Sequence, residues 1–90
     1  MIKFKDYELG IHIESYVRGG NAITLYELDT GEPFMVATSW IDGLKPDEVA
    51  IKNYSENEGI LEALISNNII HIPHRISGIF PIAKLVTNED

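Results

Sequence analysis

Two turn signals restrict this chain more than any other feature. Arg18-Gly19-Gly20-Asn21 and Asp29-Thr30-Gly31-Glu32 leave only residues 22–28 between them. Both carry glycine, which supplies the positive φ that a tight hairpin needs. Seven residues are too few for a typical helix and match a typical strand. The segment reads AITLYEL, which is rich in strand formers. On one side lies IHIESYV (11–17), where Ile11, Ile13 and Val17 alternate with His12, Glu14 and Tyr16. That is strand periodicity. On the other lies PFMVATSW (33–40), read as one strand with Pro33 tolerated at its first position. Residues 2–9 add an edge strand. The first half is therefore expected to be an antiparallel meander.

The second half changes character. IDGLKPDE (41–48) is polar, broken by Gly43 and Pro46, and reads as a loop. Residues 49–51 suit a short returning strand. Ser55-Glu56-Asn57-Glu58 then matches the S-x-x-E capping box, in which the Ser hydroxyl and Glu carboxylate exchange bonds with each other's backbone N–H. A helix over about 56–66 follows, with Ile60, Leu61, Leu64 and Ile65 on one face and Asn67-Asn68 as its stop. Gly59 is an awkward resident of its first turn, since glycine costs a helix about 0.8–1 kcal/mol against alanine. The tail IIHIPHRISGIFPIAKLV is β-branched and divided by Pro73, Gly78 and Pro81, giving one or two more strands, with 87–90 frayed. The expected fold is α+β. It is a single domain, 1–90, made of one curved antiparallel sheet of about four to six strands with one α-helix packed on one face.

Charge is distributed unevenly. The net charge is −7, yet residues 1–26 and 63–90 are each neutral. Residues 27–62 hold nine acids against Lys45 and Lys52. Such a segment repels phosphate backbones, which disfavours direct nucleic-acid binding, and suits a basic protein partner. The blander account of the same acids is solubility. With 44% hydrophobic and 23% charged residues the chain is globular rather than disordered. There is no cysteine, so disulfides and thiolate metal sites are excluded. The first ten residues lack a signal-peptide core and no apolar run reaches membrane-spanning length, so a soluble, cytoplasmic protein without membrane contact is expected.

Few residues suggest chemistry. Glu58 and Glu62 lie one helical turn apart and could act as paired carboxylates, but the capping box accounts for Glu58 and solvent for Glu62. His71 and His74 form H-x-x-H, a metal spacing on a helix; beside Pro73 the segment is extended, where residues three apart face opposite sides. No serine sits in a nucleophile elbow, and no phosphate-binding glycine motif is present. No enzyme activity, metal or cofactor is predicted. Tyr16 and Tyr26 could pair across the first hairpin and offer rings to a partner or a second copy of the chain.

Three motifs carry a resemblance: Gly31-Glu32-Pro33-Phe34, Glu56-Asn57-Glu58-Gly59, and Ile79-Phe80-Pro81 preceded by Gly78. Over residues 10–85 the chain resembles a family of small uncharacterised domain proteins carried by phages, plasmids and integrated conjugative elements. The family's third strand often continues into a T-V-N-L-P-like stretch; here Ala37-Thr38-Ser39-Trp40 stands instead. The family has no assigned catalytic residues to transfer. The resemblance implies an accessory protein of a mobile element. Joined to the charge pattern, it leads to the expectation of a non-catalytic, anti-defence inhibitor that binds a basic surface of a host effector. The expected partner-binding residues are Glu27, Asp29, Glu32, Asp47, Glu48, Glu56 and Glu58, with Tyr16 and Tyr26. The alternative is an oligomeric sponge for a small molecule or nucleotide signal, with Arg18, Lys52, Arg75 and Lys84 as its few phosphate-binding bases.

Overall fold

A computed structural model describes residues 1–17 and 20–86. Arg18 and Gly19 of the first turn signal, and the tail 87–90 expected to fray, lie outside the described residues. The chain forms β1 (Ile2–Phe4), β2 (Tyr7–Ser15), β3 (Asn21–Glu27), β4 (Pro33–Val36), β5 (Thr38–Ser39), β6 (Glu48–Ile51), a 3-10 turn (Ser55–Asn57), α1 (Ile60–Ser66), β7 (Arg75–Ser77) and β8 (Phe80–Lys84).

The first half is the expected meander: β1-β2-β3-β4 pair antiparallel in chain order. Residues 2–9 are not one edge strand, however. Phe4 pairs with Tyr7, so Lys5 and Asp6 make a two-residue turn and β2 begins at Tyr7. Lys5 has a φ of 55°, in the left-handed region that such turns ordinarily give to Gly or Asn. The alternation in 11–17 also does not mark the core. Ile11 is half-buried, whereas Ile13 and Val17 are exposed because the β2–β3 hairpin outruns the core. Gly10 faces Tyr26 across the ladder, and a Cβ there would lie 2.1 Å from that ring. The Tyr26 ring thus covers a glycine rather than pairing with Tyr16.

The single-sheet expectation fails at Ala37. The run 33–40 is not one strand but two, belonging to different sheets. β4 closes the first sheet, and β5 opens a second of order β5-β6-β8-β7. The side chain of Thr38 explains the switch. Its hydroxyl accepts the Ile23 N–H at 3.2 Å, taking the place a ladder carbonyl would fill, while its backbone pairs with Ile51 in β6. Among the described residues there are eight strands, more than the four to six expected.

One core joins the two sheets and the helix. Ile2, Phe4, Leu9, Ile23 and Leu25 from the first sheet meet Val49, Ile51 and Ala83 from the second, with Ile60 and Leu64 of α1. Ile60 and Leu64 are fully buried and Leu61 and Ile65 half-buried, as the helical face predicted. The helix ends where expected. Asn68 is left-handed at φ 60°, its N–H bonds the Ile65 carbonyl, and the Ile69 N–H bonds the Leu64 carbonyl. This is a Schellman motif with Asn in place of Gly.

The helix start differs from the expectation. The helix begins at Ile60, not 56, and no capping box forms. Ser55 is itself left-handed at φ 54°, and Glu58 bonds Ser55 through backbone atoms alone. The cap comes from Asn53, whose Oδ1 accepts the Gly59 N–H at 3.0 Å and the Leu61 N–H at 3.1 Å. Gly59 stands before the helix at φ 99°, a conformation costly to any other residue. Glu58 and Glu62 therefore do not share a helix face. Loss of the Asn53 acceptor in Asn53→Ala should cost about 1–2 kcal/mol in denaturant unfolding. Ser55→Ala should stay within about 0.5 kcal/mol of the parent, whereas a capping box would reverse that order.

Candidate functional site

The acidic residues of 27–62 do not form one surface. Glu27 and Asp29 come together at the end of β3, beside Asp6 and Glu8 from the β1–β2 turn. These four acids, with Tyr7, Leu9 and Leu28, line a shallow groove of about 460 Å³. Tyr7 and Leu28 are 48% and 46% exposed, so the groove offers apolar surface as well as charge. Lys3 stands opposite Glu8 in the β1–β2 ladder but does not line the groove. Segment arithmetic assigned Asp6 and Glu8 to a neutral region. The signal that could have found them is the Lys5-Asp6 turn, which folds that region back beside Glu27.

The other predicted residues lie elsewhere. Glu32 and Asp47 are exposed, and each is held by backbone: the Glu32 carbonyl accepts from Glu27 N–H, and the Asp47 carbonyl from Leu85 N–H. Glu56 and Glu58 are exposed around the 3-10 turn. Tyr16 is half-buried, its hydroxyl 3.1 Å from Thr38 Oγ1, and Tyr26 lies over Gly10, so neither presents a free ring. Among the more exposed large apolar side chains, Ile72, Ile76 and Ile79 cluster in and around edge strand β7.

Glu48 is a correction. It is not a surface acid but 2% exposed, at the start of β6. Its Oε1 accepts from Arg75 at 2.8 Å and from the Lys45 N–H at 3.0 Å, and its Oε2 lies 2.6 Å from His74 Nε2. The bond from Arg75 and that from the Lys45 backbone outweigh burial, and with His74 they lower the carboxyl pKa from 4.5 to about 2. The His74 ring is thereby committed to Glu48. His12 lies 3.9 Å from Glu14, away from His71 and His74. Among the described residues no three His, Asp or Glu side chains gather to hold a metal ion, and no helix is long and apolar enough to cross a membrane.

A second, larger groove of about 630 Å³ lies between the first sheet and residues 52–57, which follow β6. Phe4, Tyr7, Phe34, Met35, Val36 and Tyr54 provide its apolar walls, and Lys5 and Lys52 its cations. Phe34 reaches it through a β-bulge. Leu25 pairs with Met35 and Tyr26 with Pro33, so Phe34 is the extra residue, and its ring packs 4.6 Å from Tyr7. Lys5 Nζ donates to the Glu56 carbonyl at 3.1 Å. Among the described residues three non-glycine residues have left-handed backbone, and two of them, Lys5 and Ser55, line this groove. Such a conformation costs roughly 1–2 kcal/mol per residue. Tyr7 belongs to both grooves.

The Glu48 contacts have a pH signature. Because folding lowers this pKa, the stabilisation is complete above about pH 4.5 and is lost as pH falls toward 2. Glu48→Gln should cost about 2–4 kcal/mol at pH 7. Its unfolding free energy should also fall less than the parent's between those pH values. Equal slopes for the two proteins would contradict this role. In comparison with known proteins, no family model, curated protein or solved structure matches the chain.

Proposed function

We propose that the chain is a non-catalytic binding protein whose acidic groove receives a basic surface of a protein partner. The observation that carries this reading is the convergence of Asp6, Glu8, Glu27 and Asp29 around the exposed Tyr7 and Leu28. Carboxylates at the rim steer a cationic surface into register, while Tyr and Leu supply the desolvated contact that gives it residence. Nucleic acid is the wrong partner for such a groove, since its phosphates would meet four like charges. The resemblance to accessory proteins of mobile elements extends the proposal. On that reading the partner is a host effector with a basic, nucleic-acid-handling surface, and the protein acts in the cytoplasm as an inhibitor.

Affinity purification from a host lysate, followed by titration of the recovered partner, tests the reading. Binding should weaken steeply as salt is raised beyond about 0.15 M. The triple variant Asp6→Lys, Glu27→Lys, Asp29→Lys should lose at least about tenfold in affinity. The control pair Glu32→Lys and Glu58→Lys, which changes charge outside the groove, should lose little. Failure to recover any partner, or equal losses from the two sets, would overturn it.

A further inference from the structure

We propose that the larger groove, enclosed by the Lys5-Asp6 turn, β4 and residues 52–57, binds a small organic anion: a flat apolar body carrying one carboxylate or phosphate. This site adjoins the acidic groove and shares only Tyr7 with it, and the inference does not depend on the protein-partner reading.

Three independent features converge there. The first is charge. The chain has twice as many acids as bases, fourteen to seven, yet this groove is lined by Lys5 and Lys52 against Glu56 alone. Lys5 is fixed by its bond to the Glu56 carbonyl and by the Phe4 ring, 5.2 Å from its ammonium. Lys52 is half-buried, and among the described residues its ammonium has no hydrogen-bond or ion-pair partner. An ammonium that no described residue engages is available to pair with an anion.

The second feature is shape. A volume of about 630 Å³ falls in the range of ligand pockets and admits one ring system with a short arm, with room to spare. Phe4, Tyr7, Phe34 and Tyr54, half of the eight aromatic residues, line it. Their faces suit a flat apolar body.

The third feature is the backbone. The bulge that sends Phe34 into the groove interrupts the β3–β4 ladder, and Lys5 and Ser55, which also line the groove, hold left-handed conformations. Core packing does not account for Lys5 and Ser55, which are exposed, while Phe34 is half-buried and packs in part against the core. Bulges and strained residues of this kind gather at binding sites. Here they place one ring and one cation on the same wall.

The test is an NMR titration of the uniformly ¹⁵N-labelled full chain. The probes are indole-3-acetate for the carboxylate head group and phenyl phosphate for the phosphate. Tryptamine, with the ring but a positive charge, and inorganic phosphate, with no ring, are the controls. At least one aromatic anion should shift the amides of Lys5, Tyr7, Phe34, Val36, Lys52 and Tyr54 saturably, with a Kd of about 1 mM or tighter. The anion that binds more tightly identifies the head group. Tryptamine and inorganic phosphate should each bind at least about tenfold more weakly. Lys52→Met and Lys52→Gln should weaken binding by at least about tenfold while leaving the remaining spectrum in place. The proposal is overturned if neither aromatic anion gives saturable shifts at these amides. Binding of either control as tight as the anions overturns it too, as does unchanged affinity in a folded Lys52 variant.

Discussion

A single peptide unit on either side of Ala37 holds the two sheets in one body. Ala37 is fully buried, and its N–H donates to Ile23 of the first sheet at 2.8 Å. Its carbonyl accepts from Lys52, at the end of β6 in the second, also at 2.8 Å. A buried backbone group without a partner costs more than a hydrogen bond contributes, so these two bonds are obligatory once Ala37 is inside. The Thr38 hydroxyl strengthens the junction by bonding both Ile23 N–H and the Tyr16 hydroxyl. The common core and the position of α1 over it follow from the chain leaving one sheet at this residue and entering the other.

Charge is organised by the same architecture. Glu48, inside the second sheet, joins the loop carrying Lys45 to His74 and Arg75. It spends its charge on structure. Asp6, Glu8 and Asp29 are exposed and Glu27 half-buried around one groove of the first sheet, and among the described residues their carboxylates have no comparable partners. The acidic segment 27–62 thus supplies a structural anchor in Glu48 and, in Glu27 and Asp29, half of the acids of the groove. Tyr7, lining both grooves, connects the acidic surface to the lysine-bearing one. A ligand in the larger groove would therefore touch a residue that the acidic groove also uses.

Much of the architecture was legible in the sequence because local chemistry decided it. The turn at 29–32, the meander order, the return of 49–51, the apolar face of α1 and the Asn67-Asn68 stop each depend on residues within a few positions of one another. What was not legible depended on distant partners. The run 33–40 reads as an unbroken strand, because nothing local marks Ala37 as the place where Ile23 and Lys52 claim opposite sides of the chain. Ser55 and Glu58 have the spacing of a capping box, yet Asn53 takes the cap and the backbone at Ser55 turns left-handed. Glu48 looks like any other acid of its segment; His74 and Arg75, 26 and 27 residues on, join the Lys45 N–H to make its burial tolerable. The acidic groove was half visible, through Glu27 and Asp29, and half hidden in the hairpin that adds Asp6 and Glu8.

If Ala37 truly unites the sheets, they must lose their structure together. Native-state hydrogen exchange measures this directly. The Ala37 and Lys52 amides should exchange with the same free energy as Leu25 of the first sheet and Ala83 of the second, all equal to the global unfolding free energy. Exchange of Ala83 and Lys52 through a cheaper opening that leaves Leu25 protected would contradict the account, and would make the two sheets separately stable units.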